Sequence, residues 1–375
     1  MSLLLTVVFR SVCRTTHHRL AVDALRHLRT PEAEKWSDLF LHHHSEFLAG
    51  SEVPDQRFQD FRNHVVHVAE NYWGGAPQEA RRWYGRLVDA LRRREWAEAV
   101  FAAGVLSHYF ADPFMPLHTA CSEEDTKVHP AIEWSIGKSY GRLQHIIERD
   151  LGGYPQLETP TADDWVERMI LTGAELAHEH YTSVLQHYDL ERAIREPLAG
   201  MDQECQERIA KCLGHAVIGL ARVLERAFTE AEVEPPYTDT TLQGFLVAAQ
   251  APLRALIDHG RDLSQRMAIE ALFDEAQRTG KIVRNLPASQ CEVRRLHAEE
   301  VLRLPLHQLD HQPAGLTGTL YGSGAPERYH PNHLITATVL PSDRPVSTAW
   351  RDARRRLHDR RRGAGTSPAA KKVAA

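Results

Sequence analysis

The sequence has few cysteines, no large excess of either charge and no long hydrophobic run. Its five cysteines form no CxxC pair, which argues against both a thiolate zinc site and a disulfide framework. A net charge of −5 over 375 residues excludes a polycation that binds nucleic acid over its whole surface. The apolar run at residues 3–9 is too short to span a bilayer and lacks the flanks of a signal peptide. These absences predict a cytoplasmic protein without a transmembrane segment.

Strand-like alternation is also scarce before residue 230, and helical periodicity takes its place. Apolar residues recur near one helical face between residues 78 and 112, among them Trp83, Leu87 and Phe110. Residues 205–228 repeat this pattern. The apolar run at residues 3–9 is interpreted as a buried segment that leads into the first helix. The sequence therefore predicts an all-α, multi-helix fold.

The chain divides at a polar stretch with a Pro-Pro pair, residues 229–241, which is typical of a linker. A helical domain is predicted at residues 1–232 and a C-terminal accessory region at residues 233–345, which begins with a further helical stretch and whose role the sequence does not define. From Arg351 onward the chain has nine Lys or Arg against two Asp. Residues 346–375 are therefore predicted to be a disordered basic tail.

Histidine is the residue that the sequence has in excess, with 23 copies, and it is the commonest metal-ligand side chain. His108 and Asp112 form an HxxxD pattern, which places both side chains on one face of a helix. Pro113 disfavours helix at the preceding residue, so the helix should end at Asp112. His118 follows on a loop that Pro113 and Pro116 stiffen. By itself an HxxxD pattern is usually an intrahelical polar pair.

A second pair, His129 and Glu133, follows in an HxxxE pattern, and Pro130 suits the first position of a new helix. The two pairs and His118 bring three histidines, one aspartate and one glutamate into 26 residues. Burying such groups without a partner would be costly, and histidine nitrogens with carboxylate oxygens suit a catalytic zinc. The combination therefore predicts a compact zinc cluster.

The segment LSHYFADPFMPLHTA followed by HPAIEWS resembles the core motif of the bacterial zinc-dependent phospholipase C family. That family shares an all-α superfamily with the S1/P1 nucleases. Upstream, the segment GSEVPD at residues 50–55 resembles the family's GS-x-x-PD segment. The resemblance covers roughly residues 10–230 and is specific around residues 104–134. It implies a phospholipase C/P1 nuclease-like helical domain.

The resemblance also implies zinc ligands, all of them histidine or carboxylate: Asp55, His67, His108 and Asp112 for one zinc; His118, His129 and Glu133 for a second; and His17, sharing Asp112, for a third. His64 is the alternative to His67, and His18 is the alternative to His17. Secreted members complete the third site with an N-terminal tryptophan, whereas no tryptophan precedes Trp36 here. Two zinc ions are therefore expected, and the third stays open.

The activity that the resemblance implies is hydrolysis of a phosphodiester, above all a phospholipid, with Asp55 as the candidate general base. Zinc would bind phosphoryl oxygens and lower the pKa of a bridging water toward ~7. Contact with a membrane surface is a further expectation. An S1/P1-like nuclease, with nucleic acid as the substrate, is the alternative enzyme. A non-catalytic zinc-binding helical scaffold is the alternative from another class.

Overall fold

The computed structural model describes residues 3–311, and helices form nearly all of the regular structure there. The α-helices of this part are α1 (Leu3–Ser11), α2 (Thr16–Ala24), α3 (Ala33–His42), α4 (His44–Val53), α5 (Ala76–Arg92), α6 (Trp96–Ala111), α7 (Glu123–Arg149), α8 (Trp165–His178), α9 (Tyr181–Gln186), α10 (Leu190–Arg195), α11 (Gln203–Ala231), α12 (Thr241–Ala249), α13 (Ala251–Thr279), α14 (Ala288–His297) and α15 (Leu306–His311). A two-stranded antiparallel sheet pairs β1 (Val66–His67) with β2 (Trp73–Gly74). The prediction of an all-α fold is confirmed.

Helix α6 forms the centre of the fold, since its residues 99–111 are all buried. It is apolar on almost every face, as expected of a helix that other elements surround. Helices α4 and α5 pack along it, and α2 and α11 also contact it. Gly50 of α4 approaches α6 so closely that a Cβ there would lie 2.4 Å from the carbonyl oxygen of Phe101. This contact fixes α4 against α6 close to His108.

The apolar run near the N-terminus is a helix of its own, α1, rather than a lead-in to α2. Leu4, Leu5 and Val8 are buried, so the expected burial of this run is confirmed. Helix α1 packs against α12 and α2. The i, i+4 spacing of Leu4 and Val8 allows both side chains to share one buried helical face.

Helix α7 begins earlier than the sequence predicted. Its N-cap is Ser122, whose side-chain oxygen accepts a hydrogen bond from the Asp125 amide. Three acidic residues follow in the first turn, where the helix dipole favours negative charge. Pro130 therefore lies inside the helix, and the prediction of a new helix starting there was wrong. His129 and Glu133 still share a helical face, because the spacing of four residues is unchanged.

The described part of the accessory region folds back on the helical domain. Glu232, in a left-handed conformation, ends α11. Helix α13 then packs on α7, and α14 packs on the 3₁₀ turn Phe61–His64. All described residues fall within one unit of the chain. None of the helices in this part is long and apolar enough to cross a membrane. Residues 312–345 and the predicted tail at 346–375 lie outside the described residues.

Candidate metal centre

Two histidines and two carboxylates converge at the C-terminal end of α6. Asp112 Oδ2 lies 3.2 Å from His108 Nε2 and 3.1 Å from His64 Nδ1, and these two nitrogens are 2.9 Å apart. Asp55 Oδ1 lies 3.6 Å from His64 Nδ1 and 3.7 Å from His108 Nε2. We call these four residues the first group. It joins the end of α6 to the π turn Pro54–Phe58 and the 3₁₀ turn Phe61–His64.

Both histidines of the first group are oriented through their other ring nitrogen. His108 Nδ1 donates a hydrogen bond to the Ser51 carbonyl oxygen at 2.8 Å, which leaves the Nε2 lone pair for the group. His64 Nε2 faces Asp60 Oδ1 at 3.6 Å. The same carboxylate accepts a hydrogen bond from the Tyr109 hydroxyl at 2.9 Å. Partners of this kind set the tautomer and ring orientation of histidines in metal sites.

His17 joins the first group from α2, whereas His18 points away from it. The ring of His17 stacks on that of His108 with centroids 3.9 Å apart, and its Nε2 lies 3.3 Å from Asp112 Oδ1. His18 Nε2 instead faces the Leu48 carbonyl oxygen at 3.1 Å and Glu52 at 3.2 Å. Of the two alternatives left open by the sequence, the geometry therefore favours His17.

His118, His129 and Glu133 form a second group. Glu133 Oε1 lies 3.3 Å from His118 Nε2 and 3.2 Å from His129 Nε2. His129 and Glu133 stand one turn apart on α7, and His118 ends the 3₁₀ turn Pro116–His118. Asp125 Oδ1 lies 3.2 Å from His129 Nδ1. This contact leaves Nε2 of His129 for the second group.

His67 lies outside both groups, so its expected place beside Asp55 is corrected. Its Nδ1 lies 2.9 Å from Glu70 Oε2, and His297 of α14 contacts the same oxygen at 2.7 Å. The first group takes His64 instead, because residue 64 ends a 3₁₀ turn beside α6, while residue 67 lies on β1. His67, Glu70 and His297 form a separate buried cluster that links β1 to the accessory region.

The electrostatics of the first group favour a cation. Burial opposes ionisation of Asp112, but the surrounding histidines, His108 foremost, hold its pKa well below the usual range. Burial likewise opposes charge on His64, yet the nearby carboxylates of Asp112 and Asp60 raise its pKa to about 10. Burial lowers the pKa of His17 to about 4, which keeps it in the neutral form that binds metals. The Asp112 carboxylate is therefore ionised and available to a positive ion.

The arrangement of donor atoms fits zinc. Tetrahedral zinc with ligands at about 2.0–2.2 Å requires donor atoms roughly 3.3–3.6 Å apart, and the distances from the His64 and His108 nitrogens to each other and to the two carboxylates run from 2.9 Å to 3.7 Å. Nitrogen and carboxylate donors without sulfur are typical of catalytic rather than structural zinc. Both groups therefore have the donor chemistry of a zinc centre.

Three contacts that orient these histidines were missed in the sequence: the Ser51 carbonyl, Asp60 and Asp125. Asp125 had a readable signal, since it stands four residues before His129 and extends the HxxxE pattern to DxxxHxxxE. Ser51 reaches His108 only through tertiary packing of α4 on α6. Local spacing could not have revealed that contact.

Residues of both groups line one cavity of about 770 Å³. Its lining includes Asp55 and Asp112 of the first group and His118 and Glu133 of the second. Residues of α13 and α14 also line it. Side chains of both groups therefore line one cavity, whose walls come from both parts of the chain.

Comparison with known families identifies the class of protein that this fold and site define. The family model for zinc-dependent phospholipase C matches residues 16–208, just over half of the chain. The chain therefore belongs to the zinc-dependent phospholipase C family, a family of hydrolases, and the resemblance noted in the sequence is confirmed. A comparison with curated proteins found no match. Both groups and His17 lie within the matched residues, whereas α12–α15 lie outside them.

Proposed function

We propose that this protein is a zinc-dependent phosphodiester hydrolase that acts on a phospholipid in the manner of a phospholipase C. The observation that carries the proposal is that two histidine–carboxylate groups line one cavity. When bound, zinc supplies Lewis acidity toward phosphoryl oxygens and lowers the pKa of a nearby water. Membership of the zinc-dependent phospholipase C family supports the same reaction class.

The proposed ligands follow the two groups. They are Asp55, His64, His108 and Asp112 for one zinc, and His118, His129 and Glu133 for another. His17 would hold a third ion together with Asp112, since its Nε2 faces the Oδ1 atom of that carboxylate at 3.3 Å. Asp112 faces His17 through one oxygen and His64 and His108 through the other, so its loss would affect more of the proposed ligands than any other single change.

Asp55 is the proposed proton acceptor. Its side chain is 49% exposed, whereas that of Asp112 is 3% exposed, so Asp55 can contact a water or substrate in the cavity while Asp112 is enclosed by histidines. A general base must lie within hydrogen-bond reach of the proton that it takes. The exposure of Asp55 at the rim of the first group supports this role.

The walls of the cavity favour a lipid over a nucleic acid. Apolar residues such as Leu117 and Ile136 line it. Three of its cationic side chains, Arg14, Lys138 and Arg294, are each paired with an acidic residue, and the fourth, Arg19, donates a hydrogen bond to the Gly137 carbonyl oxygen. A nuclease of this superfamily would need a basic groove with aromatic stacking platforms. A phospholipid is therefore the preferred substrate class, and nucleic acid remains the alternative in the test.

The test combines metal analysis with a panel of substrates. Purified protein should contain about two or more zinc ions per chain and should hydrolyse phosphatidylcholine faster than single-stranded DNA, with bis(4-nitrophenyl) phosphate as a generic diester. The Asp112→Asn variant, prepared in parallel, should lose zinc and turnover together. Protein with almost no zinc, or zinc-loaded protein that hydrolyses none of the three substrates, would overturn the proposal. Faster cleavage of DNA would assign the nuclease alternative.

A further inference from the structure

One face of α13 forms part of the wall of the cavity that the first and second groups line. Gln265, Ala268, Ile269 and Leu272 line the cavity, and their i, i+3, i+4, i+7 spacing places them on one helical face. Three of the four are apolar. Because α13 lies outside residues 16–208, this wall belongs to the accessory region rather than to the matched family domain.

Helix α14 and the segment before it extend the same wall. Pro287, Ala288 and Val293 are the apolar residues that line the cavity there, beside polar ones: Asn285, Ser289, Gln290 and Arg294. On the side of the helical domain, Met115 and Ile136 also line the cavity. Non-polar side chains from both parts of the chain therefore form one portion of the cavity wall, and polar side chains form the rest.

Polar contacts fasten this wall to α7. Lys138 Nζ lies 2.7 Å from Asp262 Oδ1, which also accepts a hydrogen bond from Trp134 Nε1 at 3.2 Å. Arg294 of α14 pairs with Glu123 at 3.2 Å, and both of these side chains are 8% exposed. Since breaking a buried charge pair leaves an uncompensated charge, α14 is held firmly in place. The apolar wall is thus a built part of the cavity.

We propose that Ile269, Leu272 and Val293 form an apolar subsite that binds the non-polar part of the substrate. Through this subsite, the accessory region selects the phosphodiesters that bind beside the first and second groups. This inference rests on the proposed function. Each methylene that the wall covers strengthens binding about fourfold. A cavity of about 770 Å³ is of the size that encloses a drug-sized ligand, so a diester with a short alkyl chain fits inside it.

The test uses alkylphosphocholines, phosphodiesters that carry a single alkyl chain, with chains from methyl to octyl below their micelle concentrations. For the zinc-loaded protein, kcat/KM should rise with chain length, and the ratio of hexyl to methyl substrate should be about tenfold or more. Leu272→Ala should lower that ratio severalfold. Met267→Ala is the matched control, because Met267 lies on the same helix but is 61% exposed, and it should leave the ratio unchanged. Ile269→Val, which removes a single methylene, tests the subsite if Leu272→Ala does not fold.

The outcomes separate the subsite from the proposed function. A ratio near one in the unmodified protein, or equal losses on hexyl and methyl substrates in the Leu272 and Ile269 variants, would overturn the subsite and leave the hydrolase intact. If no substrate is hydrolysed, binding of the corresponding alkylphosphonate analogues is measured by calorimetry. Affinity that rises with chain length, and does so less in the variants, would then support the subsite although the proposed reaction has failed. Affinity that is independent of chain length would overturn it.

Discussion

His64 and His67 lie three residues apart, and only His64 reaches the first group. We expect His64→Ala to lose about one zinc per chain and to lower kcat/KM by about 100-fold or more, because an outer partner of a ligand alone changes affinity or activity 10–100-fold. His67→Ala is the matched control. It should keep its zinc and lose stability instead, by about 1–3 kcal/mol, since Glu70 loses a hydrogen-bond partner. Zinc analysis and thermal unfolding of both variants test this prediction. Zinc loss in His67→Ala with full zinc content in His64→Ala would show that His67 is the ligand.

Asp60 is placed to hold the His64 ring through the nitrogen that faces away from the first group. Asp60→Asn keeps the shape of the side chain but removes its charge, and we expect zinc affinity to fall about 10–100-fold. Tyr109→Phe removes one donor to Asp60 but keeps the carboxylate, so its effect on zinc affinity should be smaller. Competition against a fluorescent zinc chelator measures the zinc affinity of both variants. Equal zinc affinities in Asp60→Asn and the unmodified protein would show that Asp60 does not support the ligand.

The structure brings together all the residues of the expected site except His67. His108 with Asp112, and His129 with Glu133, follow from helical spacing, which is a local property. The choice between His64 and His67 depends on a 3₁₀ turn and a two-residue strand, whose conformations periodicity does not encode. The position of His64 is set by tertiary contacts with α6, and those contacts have no local signature.

Among the elements, the long helices were predictable because their buried faces repeat with helical spacing. The end of α6 was also predictable, since Pro113 follows Asp112 and the helix stops at Ala111. The start of α7 was not, because the Ser122 cap and its acidic first turn outweighed the preference of Pro130 for a first position. A strong cap upstream therefore decides where this helix begins.

The close approach of α4 to α6 is the packing contact on which the first group depends. In Gly50→Ala the new Cβ would meet the Phe101 carbonyl oxygen at 2.4 Å, so the helices must separate. We expect a loss of about 1–3 kcal/mol or more in unfolding free energy. Weaker zinc binding should accompany it, because the Ser51 carbonyl that orients His108 is displaced. Denaturant unfolding and zinc titration measure the two effects.

Gly85→Ala on α5 is the matched control for that variant. A Cβ there has nothing within 4 Å, and alanine is favoured over glycine within a helix by about 0.8–1 kcal/mol. Gly85→Ala should therefore be as stable as the unmodified protein or more so, with unchanged zinc binding. Similar stabilities for Gly50→Ala and Gly85→Ala would show that the α4–α6 contact is looser than its geometry indicates.

At the scale of the whole molecule, only a helical stretch could be predicted for the accessory region, because the contacts that join it to the helical domain are long-range. Asp262 meets Lys138 and Trp134, and Glu300 accepts a hydrogen bond from Trp73 at 2.8 Å across more than 200 residues of chain. Such pairings leave no periodic pattern. They make the accessory region part of the environment of the metal centre, so that changes in α13 and α14 are expected to affect the site.

Removal of zinc is expected to destabilise the whole molecule without unfolding it. A ligand that binds only the folded state adds about 4 kcal/mol to the free energy of unfolding at 1,000 times its Kd. A chelator that removes zinc removes this contribution. The zinc-free fold should persist, because His64 and Asp112 remain hydrogen-bonded partners and α6 is held by apolar packing on several sides.

Calorimetry should therefore show a cooperative transition at a lower Tm in chelator, and added zinc, but not magnesium, should restore the Tm. The Asp112→Asn variant should show a much smaller shift, since it lacks the bridging carboxylate. A Tm that chelator leaves unchanged in the unmodified protein would contradict a zinc-bound native state.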